Sequence, residues 1–203
     1  MRKILASTIM VLALSMVMTS ATQAYFSDTE TSNGNTFTAG TLDLKINGGD
    51  VNVSRTESNL VPVHSQPNFT WVLKNDGSIP GYLNLKNISV ASGENGCNDP
   101  ETAAGDTTCA TPGATEGELA GVLNYRLMLD TNCNGWFEAG DQILYQGAAS
   151  GMASQYTPNK QINPGQQVCV NSLINWWTTA DDNKAQGDSM TTNFGFELMQ
   201  DPI

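Results

Sequence analysis

The sequence predicts an all-β fold, an antiparallel jelly roll or β-sandwich that forms a single domain with one long polar insertion. Apolar and polar residues alternate at a period of two in several short segments, which is the pattern of half-buried strands. Glycine, proline, asparagine and aspartate separate these segments, and these residues favour turns. Charged residues are 14% of the 203 residues, against about 25% in an average soluble chain, which disfavours long surface helices.

The alternating segments follow one another along the chain. Their apolar positions lie within residues 42–46, 69–73, 83–90, 123–129, 143–145, 168–170 and 194–198. In the third segment the apolar phase slips after Leu85 and resumes at Ile88, which predicts a β-bulge near Lys86–Asn87. Seven or eight short strands with turn residues between them are typical of a β-sandwich or jelly roll.

The stretch from Gly93 to Gly117 departs from this pattern. It is polar and shows no alternation, so we interpret it as the long insertion. The segment Glu116–Leu123 can include a helical turn. No internal repeat and no linker divides the chain into further domains.

The first 24 residues have the three parts of an export signal. Arg2 and Lys3 form a basic region, Ile4–Met18 an apolar run, and Thr19–Ala24 a small, polar end that suits cleavage after Ala24. A signal anchor is the alternative, although the apolar run is shorter than the roughly 20 residues of a membrane span. We expect cleavage, so the mature chain is secreted and has no membrane span.

The charge balance excludes one class of partner. The sequence has 20 acidic and 9 basic residues, a formal charge of −11, and loss of Arg2 and Lys3 with the signal makes it −13. Binding to nucleic acid needs a surplus of lysine and arginine, so nucleic acid is not an expected partner. The 39% of hydrophobic residues can build a core, which argues against a disordered acidic chain.

Export also changes the expected state of the four cysteines. An even number of cysteines outside the cell indicates disulfides. Three pairings are available, and we expect Cys97 with Cys109, which closes the polar insertion, and Cys133 with Cys169. A zinc site is the alternative, but no CxxC spacing exists and His64 is the single histidine.

The segment that follows the signal resembles a known family. Residues Ala24–Ile46 read AYFSDTETSNGNTFTAGTLDLKI, which closely resembles the start of the camelysin and TasA family of secreted matrix-fibre proteins. Three later stretches also resemble the family, namely Trp71–Leu85, Ile162–Val168 and Asp182–Gln200. The resemblance therefore covers most of the mature chain, while the insertion and the cysteines are departures from it.

The resemblance implies a jelly-roll subunit, residues 41–203, that polymerises outside the cell into biofilm-matrix or cell-surface fibres. The expected partner is another copy of the chain, head to tail, with other matrix components as further partners. The N-terminal segment, residues 25–40, would add as a strand to a neighbour, where it supplies main-chain hydrogen bonds to an open sheet edge. The expected apolar anchors of this donor strand are Tyr25, Phe26, Phe37 and Ala39. The alternative is a segment that folds back onto its own domain or frays.

A possible cation-binding loop follows the fourth alternating segment. Residues Asp130–Asp141 read DTNCNGWFEAGD, which fits the spacing of a calcium loop with an acid at position twelve. The flanking sequences are those of strands, so the loop would join a β-hairpin. The alternative is a plain Asn-Gly hairpin turn. The candidate calcium ligands are Asp130, Asn132, Asn134, Trp136 through its carbonyl, Glu138 and Asp141.

Two further motifs bear on surface chemistry. Asn52, Asn68 and Asn87 begin N-x-S/T sequons and are the candidate glycosylation sites of an exported chain. Chance matches are frequent in a chain this rich in asparagine and threonine. The tryptophans at 136, 176 and 177 favour an alternative function, a secreted calcium-dependent carbohydrate-binding module. Neighbouring strand residues point to opposite faces, so one of Trp176 and Trp177 is expected in the core.

The sequence does not predict an enzyme. Members of the resembling family have been labelled metallopeptidases, but this chain has no HExxH motif and a single histidine cannot form a two-histidine zinc site. The Gly-x-Ser-x-Gly motif of serine hydrolases is also absent.

Overall fold

The computed structural model of the chain describes residues 39–50, 53–57, 60–62 and 68–202. Residues Gly40–Ile203 form one compact unit. The strands in the described ranges are β1 (Leu44–Ile46), β2 (Val53–Glu57), β3 (Phe69–Asn75), β4 (Gly81–Gly93), β5 (Leu123–Asp130), β6 (Gln142–Ala148), β7 (Gln161–Ile162), β8 (Gln167–Trp176) and β9 (Ser189–Met199).

The strands form two antiparallel sheets. One has the order β1-β3-β8-β5-β6, and the other has the order β2-β9-β4-β7. Every pair of neighbouring strands is antiparallel. The predicted all-β, antiparallel sandwich is therefore confirmed.

The two sheets face each other across an apolar core. Trp71 of β3 lies 4.8 Å from Phe194 of β9, centroid to centroid, and Tyr125 of β5 lies 6.3 Å from the same ring. Trp71, Leu73, Leu127 and Val170 come from one sheet and are fully buried. These residues occupy the inward positions of the period-two alternation, so burial of one face of each strand accounts for the sandwich.

The register of β4 on β9 confirms the predicted bulge. The pairing shifts between Lys86 and Ser89, and Asn87 adopts a left-handed conformation with a φ of 53°. Asparagine tolerates this conformation better than most residues. The bulge restores inward-facing apolar residues after the phase slip, as Ile88 is buried.

Two strands were not predicted. β2 reads VSRTE and has a single apolar residue, and β7 has two residues, so neither shows an alternation of its own. Both exist because they pair with β9 and β4 respectively. Pairing supplied by another strand, not local sequence, defines them.

The insertion contains one helix that the alternation could not reveal. Helix α1 (Asp99–Ala104) begins with a capping box in which Asn98 accepts from the Glu101 N–H and the Glu101 carboxylate accepts from the Asn98 N–H. Gly105 ends it with a left-handed φ of 72°. Helix α2 (Leu119–Val122) corresponds to the helical turn predicted within Glu116–Leu123.

Short 3-10 turns lie at Ala149–Gly151 and Asp182–Lys184. Within the described ranges, no helix has the length and apolar character that crossing a membrane requires.

Candidate functional site

The loop between β5 and β6 is organised around one carboxylate. Asp130, fully buried at the end of β5, accepts hydrogen bonds through Oδ1 from the backbone N–H groups of Asn132 (3.2 Å) and Cys133 (2.7 Å). Its Oδ2 accepts from the Gly135 N–H (2.8 Å) and from Nδ2 of Asn171 (3.0 Å). Burial by itself would raise the pKa of Asp130, but these hydrogen bonds together hold its pKa below the ordinary value.

The remaining predicted ligands continue this hydrogen-bonded pattern. Asp141 accepts from the Thr131 N–H (2.8 Å) and the Glu138 N–H (3.0 Å), and Glu138 in turn accepts from the side-chain amide of Asn134 (3.1 Å). The side chain of Asn132 accepts from the Asn134 N–H (3.0 Å). Gly135 has a φ of 83°, which is the sharp turn that the motif expects.

The structure thus brings the six predicted ligands into one loop, but directs many of their oxygens to N–H groups. Among the described residues, the groups of three acidic side chains whose ligand atoms converge do not include Asp130, Glu138 or Asp141. Calcium binding by this loop remains a prediction.

Both disulfides of the structure join the expected cysteines. Cys133 bonds to Cys169, with Cα atoms 5.1 Å apart, and so attaches the loop to β8. Cys97 bonds to Cys109, with Cα atoms 4.6 Å apart, and closes the segment that carries α1.

Strand β6 ends the five-stranded sheet and presents an exposed surface. Six of its seven residues pair on one side with β5, and a register shift leaves Leu144 out of the pairing. Ile143 at its start is 39% exposed, and the preceding loop carries Trp136, 77% exposed, and Phe137, also exposed. Sequence reasoning predicted this strand but not that it ends a sheet, because the order of strands depends on pairings between distant segments.

The segment that precedes β1 is attached to the turn after β3. The Thr41 carbonyl accepts from the Ser78 N–H (2.9 Å), and the Asp43 carbonyl accepts from the Asp76 N–H (2.7 Å). A Cβ on Gly77 would lie 2.8 Å from the Asp43 nitrogen and closer still to the Thr41 carbonyl oxygen, so this approach requires glycine. Of the predicted donor anchors, Ala39 is exposed, while Tyr25, Phe26 and Phe37 lie outside the described residues.

The surface motifs have simple positions. Asn68 and Asn87 are exposed, and Asn52 lies outside the described residues. Trp176 is buried and donates through Nε1 to Asp182 (2.8 Å), whereas Trp177 is exposed, so the prediction that one of them belongs to the core is confirmed.

Sequence reasoning missed a group of five acidic residues on the insertion and beside it. This acidic cluster consists of Glu94, Glu101, Asp106, Glu118 and Asp188. Burial is the main cause that raises the pKa of Glu101, and it raises the pKa of Asp188 to about 7. The sequence does show that acidic residues are frequent within the polar insertion and next to it. It does not show which of these residues lie together in the fold.

Comparison with known proteins identifies one family. A model of the camelysin metallo-endopeptidase family matches residues 1–102. No curated protein matches the chain.

Proposed function

Because the chain belongs to the camelysin metallo-endopeptidase family, we propose that it is a secreted structural subunit of an extracellular filament in a biofilm matrix or on a cell surface. Subunits polymerise head to tail when the N-terminal segment of one copy, Tyr25–Thr38, adds as a strand to the sheet of the next. The observation that carries this proposal is the outer edge of β6, which pairs with no other strand of the described residues.

Strand β6 is the best acceptor among the described edge strands. It has seven residues, whereas the other edges are formed by β1 with three, β2 with five and β7 with two. A longer edge offers more main-chain hydrogen bonds to an added strand. The exposed side chain of Ile143 gives this edge apolar surface, which an unpaired edge of a monomeric protein normally avoids.

The attachment of Thr41 and Asp43 to the turn at 76–79 supports the donor side of the proposal. These bonds hold the chain to the domain at Thr41 and Asp43, directly after the proposed donor segment in the sequence. Fourteen extended residues span up to about 46–50 Å. Such a segment is long enough to reach a second copy, and a contact that does not close on itself builds a filament.

A zinc peptidase centre does not fit the donor atoms of this chain. Zinc peptidases use histidine ligands, but His64 is the single histidine and lies outside the described residues. The four cysteines form disulfides, and the converging groups of ligand atoms in the described ranges consist of carboxylates alone. We therefore propose a structural role and not a catalytic one. The structural role would be overturned if the purified chain cleaved casein and a chelator abolished this cleavage.

Deletion of Tyr25–Thr38 from the secreted chain tests the donor strand. Negative-stain microscopy and sedimentation should show fibres for the complete secreted chain and monomers for the deletion variant. A synthetic peptide of residues 25–38, added in trans, should bind the deletion variant and raise its melting temperature. Fibres that persist after the deletion would rule out strand donation, and a complete chain that stays monomeric across calcium, salt and protein concentration would rule out the filament.

A charge on the acceptor edge tests the role of β6. Ile143→Lys places an ammonium group on the edge and should reduce the mass of sedimented fibre at least tenfold, because edge lysines oppose strand addition. Phe137→Lys makes the same change on an exposed apolar residue of the neighbouring loop and serves as the matched control. If both variants sediment the same mass of fibre, with unchanged melting temperatures, β6 is not the acceptor.

Carbohydrate binding is the second candidate function, and the 77% exposure of Trp136 favours it. An exposed indole can stack on the apolar face of a sugar ring. The secreted chain should be retained on a polysaccharide column, and Trp136→Ala should abolish this retention. If the Trp136→Ala variant still assembles into fibres, the result would support carbohydrate binding in addition to the filament.

A further inference from the structure

The acidic cluster is a group of five carboxylates, none of which forms an ion pair with a side chain in the described part of the chain. We propose that it is a calcium site that fastens the insertion to the β-sandwich. The proposal stands apart from the filament and from the β5–β6 loop.

The strand register explains why these acids meet. Gly93, the last residue of β4, pairs with Ser189, the first residue of β9. The next residues outward, Glu94 and Asp188, therefore leave the sheet side by side. The insertion then returns over them, with Glu101 on α1, Asp106 after it and Glu118 directly before α2.

The ligand atoms converge in two overlapping groups. One carboxylate oxygen from each of Glu94, Asp106 and Glu118 lies within 4.8 Å of the others. The same holds for Glu94, Glu101 and Asp188, so Glu94 belongs to both groups. A cation bound at 2.3–2.6 Å to each of several oxygens requires this spacing between them.

Each of the five carboxylates uses one oxygen for local hydrogen bonds. Glu94 accepts from the Gly96 N–H (2.6 Å), and Asp188 accepts from the Glu118 N–H (2.7 Å). Asp106 accepts from the Thr108 N–H (2.7 Å), and Glu118 accepts from the Thr108 hydroxyl (2.6 Å). Glu101 is held by the capping box. These bonds fix the positions of the carboxylates before any cation arrives.

The second oxygen of every one of these carboxylates is buried and accepts no hydrogen bond from the described residues. Three of these side chains are almost fully buried, with exposed fractions of 5% for Glu94, 0% for Glu101 and 4% for Asp188, while Asp106 and Glu118 are half-buried. A buried carboxylate oxygen without a partner is costly, because burial removes its hydration. Such an oxygen on each of five carboxylates that converge in two overlapping groups favours a site for a positively charged ligand.

No side chain in the described ranges forms an ion pair with these five carboxylates. Lys184 is the cation that influences Asp106 and Glu118, but its ammonium group pairs with Asp181 at 2.9 Å. The donor set of carboxylate oxygens alone selects a hard cation. Calcium fits best, because it accepts six to eight oxygens in irregular geometry, whereas magnesium demands a near-ideal octahedron and zinc prefers nitrogen and sulfur.

An entry path is present. Asp106 and Glu118 also line an open groove of about 710 Å³ between β4 and the insertion. The two least buried carboxylates of the cluster therefore face solvent on one side and the buried acids on the other, as a route for cation entry requires.

Calcium titration of the secreted chain, first freed of metal with a chelator, tests the site. Isothermal calorimetry should show calcium binding, and calcium should raise the melting temperature by at least 5 °C, with a smaller response to magnesium. Glu94→Gln and Asp188→Asn should each weaken calcium binding at least tenfold. Glu116→Gln removes an exposed acid of the same insertion, and its affinity should stay within twofold of the unmodified chain.

The order of stabilities separates a ligand from a residue that merely supports the fold. Without calcium, Glu94→Gln should melt above the unmodified chain, because it removes repulsion among buried charges. With saturating calcium the order should reverse. The proposal is overturned if the unmodified chain does not respond to calcium, or if Glu94→Gln and Asp188→Asn respond as the unmodified chain does. An equal loss of affinity in Glu116→Gln would indicate general screening of negative charge and would also overturn it.

Discussion

Replacement of Asp130 by alanine tests whether this carboxylate holds the β5–β6 loop through hydrogen bonds or through a cation. Asp130 is fully buried and accepts four hydrogen bonds, three from backbone N–H groups of the loop and one from the buried side chain of Asn171. Asp130→Ala removes all four acceptor contacts and leaves the donors in place. The hydrogen-bond account predicts a loss of stability whether or not calcium is present.

The size of this loss follows from the burial of the donors. The Asn171 amide cannot reach water and should cost about 2 kcal/mol when unpaired. The three backbone N–H donors are partly buried, so water can hydrogen-bond to them in place of the Asp130 carboxylate. The loss of stability should therefore be about 0.5–1 kcal/mol for each N–H group. The sum, about 3.5–5 kcal/mol, corresponds to a decrease in melting temperature of about 7–20 °C for a domain of this length.

The assay is thermal and urea unfolding of the oxidised, secreted chain in chelator and in millimolar calcium. Glu138→Ala is the matched control, because Glu138 is an exposed acid of the same loop, and its variant should stay within about 0.5 kcal/mol of the unmodified chain. A decrease in Asp130→Ala that occurs only in calcium would refute the hydrogen-bond account and support cation binding by the loop. A melting temperature within 2 °C of the unmodified chain in chelator would refute it as well.

Four other changes should have measurable effects on stability. Trp71→Ala empties the centre of the core and should cost about 3–5 kcal/mol in urea unfolding; a cost below 1 kcal/mol would mean that the sheets do not pack through this ring. Gly77→Ala should cost about 1–3 kcal/mol, because the added Cβ meets neighbouring backbone, and unchanged stability would argue against that approach. Burial would raise the pKa of Asp182, but its hydrogen bonds hold the pKa below the ordinary value. Ionised Asp182 therefore stabilises the fold above about pH 4, and this stabilisation is lost as pH falls through the pKa of the folded state. The stability difference between Asp182→Asn and the unmodified chain should shrink in acid, and a difference that does not change with pH would contradict this. Replacement of Cys133 and Cys169 by alanine should cost about 4 kcal/mol by the loop-entropy argument, measured by urea unfolding, and no loss would show that the bond does not constrain the unfolded chain.

Local sequence predicts those elements whose residues carry their own signal. The alternation within Leu123–Leu129 identifies β5 because one face of the strand must be buried. The phase slip after Leu85 identifies the bulge for the same reason. The helix α1 also had a local signal, the Asn98 cap with Glu101 three residues later, but the polar composition of the insertion concealed it.

Other features depend on which segments meet. Strand β7 consists of two residues and exists because β4 offers it a partner. Strand β5 pairs with β8 on one side and with β6 on the other, so β6 lies at the end of the sheet. This end position makes β6 the proposed acceptor.

The sequence by itself determined that this chain carries the pattern of an export signal, an excess of acid, the strands of a sandwich and the segment that resembles a donor strand. These properties reside in composition and in short periodic patterns. Only the tertiary structure decided which acids lie together. Glu94 and Asp188 are distant in sequence, and they adjoin because the antiparallel register places Gly93 opposite Ser189. A difference of one residue in that register would turn their side chains to opposite faces, so the acidic cluster is a property of strand pairing and not of any local motif.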